Sequence, residues 1–100
     1  MSELDKYSEE IIRLCLAHKV KFLYAFGSVV SGKFNEKSDI DFVVDFESVP
    51  VNQYADNYYN LKFSLQDLFL KSIDLLEEKA IKNPYLRKSL DDQRVLVYGH

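Results

Sequence analysis

An α/β layer fold around one sheet is the architecture this sequence predicts. Segments with apolar residues three and four apart alternate with short runs of β-branched and aromatic residues, and such alternation packs as helices against a sheet. Turn formers punctuate the segments at Gly27, Pro50 and Asn83-Pro84. A 47% hydrophobic content, with seven Tyr and seven Phe, supplies a core for the layers to share.

The elements follow in chain order. Leu4, Tyr7, Ile11 and Leu14 recur at helical spacing, predicting a helix over residues 4–17, with Glu3, Asp5, Glu9 and Glu10 toward the end where the helix dipole favours acids. Residues 21–26 are apolar and aromatic and read as a buried strand. Gly27 breaks it, and a short helix is expected over 28–33, then a polar loop over 34–38. Residues 39–46 form the second strand. After Pro50, the stripe of Tyr54, Tyr58, Leu61, Leu65 and Leu68 predicts a helix over 53–69. Residues 71–76 are the third strand. Asn83 and Pro84 form a cap and first turn for a helix ending near residue 92, and 95–98 is a closing strand. One hundred residues without repeats or linkers read as one domain, 1–100.

Composition excludes several function classes. Cys15 is alone, so neither an internal disulfide framework nor a Cys-rich metal site exists. No apolar run reaches the roughly 20 residues that span a bilayer, and the N-terminus is polar and acidic, so the expected compartment is the cytoplasm. Sixteen acidic residues stand against 13 basic ones, and the longest basic cluster is Lys19 and Lys21. Nucleic-acid backbones are held by clustered cations, so a direct polynucleotide ligand is disfavoured. A single nucleotide carried with its metal is not.

The chemistry concentrates between Gly27 and Phe42. On a strand, residues two apart share a face, so Asp39 and Asp41 stand side by side while Ile40 and Phe42 face the core. Two adjacent carboxylates repel unless a divalent cation sits between them, and an oxygen-rich set of this kind suits Mg²⁺. A strand ending in Gly27 and turning at once into a helix aims free amides at one spot, and Ser28 adds a hydroxyl there. Asp74 is a lone charge in an aliphatic strand, where charges need a partner. Should its strand lie beside that of Asp39 and Asp41, Asp74 becomes either a third metal ligand or the base for an attacking hydroxyl.

Gly27-Ser28, ten residues, then Asp39-Ile40-Asp41 resembles the signature of the DNA polymerase β-like nucleotidyltransferase superfamily. More narrowly, Ser38 to Phe42, Ile73-Asp74-Leu75-Leu76 and Asn83-Pro84-Tyr85-Leu86 are similar to the minimal nucleotidyltransferases paired with HEPN-domain proteins in toxin–antitoxin modules. The resemblance covers nearly the whole chain. It implies a small mixed β-sheet of about four strands flanked by helices, with Asp39, Asp41 and Asp74 as catalytic and metal-binding residues. It further implies two Mg²⁺ ions, ATP as substrate, and a HEPN-type toxin partner that the chain adenylylates as its antitoxin. Many members carry Arg where this chain has Ser31; Lys33 is the replacement cation, completing an expected nucleotide-binding set with Gly27 and Ser28.

Other residues read as structural. Asp45 marks an exposed strand end, Glu77 and Glu78 another, His18 a helix C-terminal group, and Cys15 a small buried hydrophobe. Tyr54, Tyr58, Tyr59 and Phe63 are expected mainly in the core, with spare ring faces for an interface. Only 26 residues follow Asp74, so the acceptor is expected on another chain. Two alternatives stand beside the adenylylating antitoxin: a non-catalytic antitoxin acting by contact, and a small-molecule nucleotidyltransferase of the antibiotic-modifying type.

Overall fold

A computed structural model of the chain describes residues 2–31 and 39–99, with only the backbone for Ser2, Glu3, Ser28 and Ser31. Five helices, α1 (Ser2–Asp5), α2 (Ser8–Ala17), α3 (Ser28–Ser31), α4 (Val51–Phe69) and α5 (Pro84–Gln93), and four strands, β1 (Val20–Phe26), β2 (Ile40–Phe46), β3 (Ile73–Glu77) and β4 (Val95–Tyr98), are seen there. A 3₁₀ turn, Glu78–Ala80, follows β3. The strands form one sheet in the order β3-β2-β1-β4. β2 and β3 are parallel, whereas β1 runs antiparallel to both β2 and β4. The sheet is therefore mixed, with α4 as the long crossover that a parallel pair requires. Among the described residues, no helix is long and apolar enough to cross a membrane.

One face of the sheet holds the main core. Ile40, Phe42, Val44 and Phe46 alternate inward from β2, beside Leu23 and Ala25 of β1 and Ile73 and Leu75 of β3. Ile11 and Cys15 of α2 and Leu61, Leu65 and Phe69 of α4 close over them. Cys15 packs as a hydrophobe, and burial pushes its thiol up to about 12. Truncating one of the fully buried leucines to Ala would cost about 2–5 kcal/mol.

The other face is covered differently. Val43 points away from the main core yet is fully buried, and Leu90 of α5 is buried too. Arg94, which caps α5, lays its guanidinium over the Tyr24 ring at 4.1 Å. Asn83 caps α5 as expected: its side chain accepts from the amides of Tyr85 and Leu86, and Pro84 follows in the first turn.

Several expectations are corrected. The helix over 4–17 is two helices, with a turn at Lys6–Tyr7. The Tyr7 ring leaves the helix surface to meet Phe69 edge-on, centroids 5.0 Å apart. Glu77 and Glu78 are not a solvated strand end. Tyr54 donates its hydroxyl to Glu77 Oε2 (3.0 Å), and Glu78 accepts from both Arg87 and Arg94. Nor is Asp45 exposed: its side chain is 18% accessible, and Oδ1 has no hydrogen-bond partner, with Lys79 Nζ at 3.9 Å. Its cover comes from the 3₁₀ turn that carries Lys79 back over β2. Tyr54 and Tyr58 pack against the core, whereas Tyr59 and Phe63 stack on each other in the open. His18 closes α2, its Nδ1 2.7 Å from the Leu14 carbonyl.

Candidate active site

The uncovered end of the second face is where β1 finishes and the parallel pair begins. Register decides what meets there. Phe26, the last residue of β1, is the cross-strand partner of Asp41. Asp41 in turn is the partner of Asp74 on the parallel side. Both aspartates are second residues of their strands, with a side-chain parity opposite to Ile40, Phe42, Ile73 and Leu75. The apolar residues bury the strands, and the aspartates are left on the open face. Asp39 lies one residue before β2 and is exposed; two positions from Asp41, it extends the same face.

Gly27 closes the arrangement. It takes a left-handed φ of +75°, and a Cβ built there would stand 2.5 Å from Asp41 Oδ2. The space a side chain would fill is thus occupied by the Asp41 carboxylate, which requires glycine there. The Gly27 carbonyl accepts from the Val30 amide at 3.1 Å as α3 starts. Ser28 opens that helix; its hydroxyl, Lys33 and the 32–38 segment lie outside what the structure describes.

Electrostatics marks Asp41 as the centre. Its carboxyl is pushed above the ordinary 3.8, first by burial, then by the charge of Asp74, then by that of Asp39. Among the described residues, no three acidic, His or Cys side chains already stand close enough to enclose an ion. Register nevertheless sets Asp41 and Asp74 on adjacent strands with Asp39 beside them, and like-charge repulsion opposes closer approach of these carboxylates. An oxygen-only donor set with waters completing the shell fits Mg²⁺. The structure thus brings together Gly27, Asp39, Asp41 and Asp74.

Two residues that reach the strand of Asp74 were read from the sequence mainly as core, with spare ring faces for an interface. Tyr58 donates its hydroxyl to the Leu75 carbonyl at 2.6 Å, and Tyr54 reaches Glu77 one turn earlier. Their spacing of four along α4 was the available signal, but nothing in it says that the hydroxyls end on the strand of Asp74.

Comparison with known proteins agrees with this fold. Residues 9–100 match the family model described as polymerase beta, nucleotidyltransferase. The chain is 39% identical over 80 residues to a candidate protein adenylyltransferase of Methanocaldococcus jannaschii, covering 80% of this chain and 79% of the relative. It is 32% identical over 98 residues to the protein adenylyltransferase MntA of Thermococcus cleftensis, covering 90% and 93%. Two solved structures share the fold. One is a toxin–antitoxin complex with AMP-PNP (TM-score 0.73, 23% identity, covering 93% of this chain and 73% of that one). The other is a tri-AMPylated HEPN toxin of Shewanella oneidensis in complex with its MNT antitoxin (TM-score 0.68, 20% identity, covering 97% and 73%).

Proposed function

Given that the chain belongs to the polymerase β nucleotidyltransferase family, we propose that it transfers AMP from ATP to a tyrosine hydroxyl of a HEPN-type toxin, the new O–P bond forming at the α-phosphate as pyrophosphate leaves, and so acts as its antitoxin. Residues 1–100 act as one minimal nucleotidyltransferase domain. The observation that carries the reading is the pairing of Asp41 with Asp74 across parallel strands, with Asp41 pressed against a glycine that has no room for a side chain. Relatives named as protein adenylyltransferases support the type of transfer. The fold neighbours solved with AMP-PNP and with an AMPylated HEPN toxin support the donor and the partner.

The roles follow from position. Asp39, Asp41 and Asp74 would hold Mg²⁺, which when bound supplies charge neutralisation at the phosphates and eases ionisation of the hydroxyl. Asp74, exposed like Asp39 but on the outer strand, serves as the base that takes the acceptor's proton. Tyrosine suits this base better than serine or threonine because its pKa near 10 makes the phenolate easier to form. Gly27 keeps the backbone clear so that Asp41 can face the metal. Ser28, directly after it, contributes an amide and a hydroxyl to the phosphates, with Lys33 as the cation of the nucleotide-binding set. The acceptor comes from the partner chain, making the working unit a hetero-oligomer. Added as a bulky anion, AMP blocks the toxin's own active site.

Purified toxin incubated with this protein, Mg²⁺ and labelled ATP tests the proposal. Label should appear on the toxin and vanish with Asp74→Asn. Full labelling by that variant would remove Asp74 from the chemistry. Toxin left unlabelled by the unaltered protein, yet neutralised, would favour an antitoxin that works by contact alone.

A further inference from the structure

Among the described residues β3 is an edge strand: only β2 pairs with it there, and it carries Asp74. Register is the weak point of such a strand, because a slip of one residue turns every side chain to the opposite face. Asp74 would then point into the core and Leu75 out of it.

α4 supplies what a second neighbouring strand would otherwise give. Tyr54 and Tyr58 lie four residues apart on one side of that helix, and their hydroxyls reach Glu77 and Leu75, two residues apart on β3. Four helical residues advance about 6 Å. Two strand residues advance about 6.6 Å. The spacings match, so the pair of hydroxyls fits a single register of β3. Tyr58 makes the closer bond, to the carbonyl of the residue that follows Asp74, at 2.6 Å. Its hydroxyl stays a donor across the neutral range, since burial and then the charge of Glu77 push its pKa up.

We propose that Tyr58 is a positioning residue for Asp74, its hydroxyl bond to the Leu75 carbonyl fixing the height of the Asp74 carboxylate against Asp41. The inference rests on the reading of Asp74 as part of the transfer site. Tyr54 plays a lesser part, because its bond ends on a side chain three residues from Asp74.

Tyr58→Phe removes the hydroxyl and keeps the ring; it is compared with the unaltered protein and with Tyr54→Phe. Amide hydrogen exchange without nucleotide should quicken about tenfold in residues 73–77, the factor worth one ordinary hydrogen bond, with α2 and β1 unchanged. Calorimetric titration with Mg²⁺ alone should show several-fold weaker binding. Transfer should fall about tenfold in kcat with KM for ATP held within about twofold, and raised Mg²⁺ should restore much of the rate. Tyr54→Phe should do less on every count. Faster exchange spread evenly over the sheet, or unchanged exchange in β3 with unchanged Mg²⁺ affinity, would overturn the positioning role. Failure of the transfer reading looks different: the unaltered protein would bind no Mg²⁺ and label no toxin, while the exchange comparison would still report whether Tyr58 holds β3.

Discussion

Replacing Gly27 by Ala tests the site through a single methyl group. Two costs are built into that position. Alanine at a φ of +75° loses about 1–2 kcal/mol relative to glycine. Its Cβ would also stand 2.5 Å from Asp41 Oδ2, where ordinary contact begins near 3.4 Å, so the carboxylate must retreat by about 1 Å. Turning Asp41 off its rotamer adds about 0.5–1.5 kcal/mol. The total, about 2–3 kcal/mol, is 8 °C or more of melting temperature for a domain of this size, at roughly 4–8 °C per kcal/mol. Function should suffer more than stability, since a misplacement of about 1 Å at a reacting centre can cost about 100-fold in rate. Urea denaturation and the labelled-ATP assay give the two numbers. Gly27→Ala made in an Asp41→Gly background separates them: with no carboxylate to displace, the stability loss should shrink to the backbone cost alone. Equal losses in both backgrounds, or a wild-type transfer rate in Gly27→Ala, would refute the close approach of Gly27 and Asp41 as a feature of the working site.

Asp41→Asn should abolish transfer yet stabilise the metal-free protein at neutral pH. The folded-state pKa of Asp41 is raised, so ionising it weakens the fold; that penalty is complete above the raised value and disappears below the ordinary 3.8. Melting curves without Mg²⁺ should therefore show the variant ahead at pH 7 and level with the parent in strong acid, with Mg²⁺-ATP raising only the parent. Asn83→Ala removes the acceptor for the Tyr85 and Leu86 amides and should cost about 1 kcal/mol in urea titration with transfer at saturating ATP unchanged.

Much of this site was legible because strand parity is a local rule. Ile40, Phe42, Ile73 and Leu75 had to face a core, which left Asp41 and Asp74 on the other face before any neighbour was known. Adjacency was not local. Only the parallel pairing of β2 with β3 turns two separate aspartates into partners, and the sequence left that adjacency as a condition, the family resemblance implying only that Asp39, Asp41 and Asp74 work together. Two helix ends were legible as well: the apolar stripes stop where the helices do, at Ala17 and Phe69, although the left-handed residues just beyond, Lys19 and Leu70, are not the glycine that usually stands there. Lys19 earns its place through its carbonyl, which accepts from the Glu47 amide across the sheet at 2.8 Å. Glu78 looked solvated because its partners, Arg87 and Arg94, are nine and 16 residues away and meet it only once α5 folds back. The hydroxyls of Tyr54 and Tyr58 escaped for the same reason: a helical stripe shows which side is buried, not what the polar tips touch.

Intact-mass spectrometry of the helical toxin co-expressed with this chain tests the central claim most directly. The account predicts a toxin heavier by one AMP or a multiple of it, mapped to tyrosine, when the unaltered chain is present. With Asp39, Asp41 and Asp74 all changed to Asn, the toxin should keep its unmodified mass and its toxicity. A toxin of unmodified mass that both proteins neutralise equally well would contradict it.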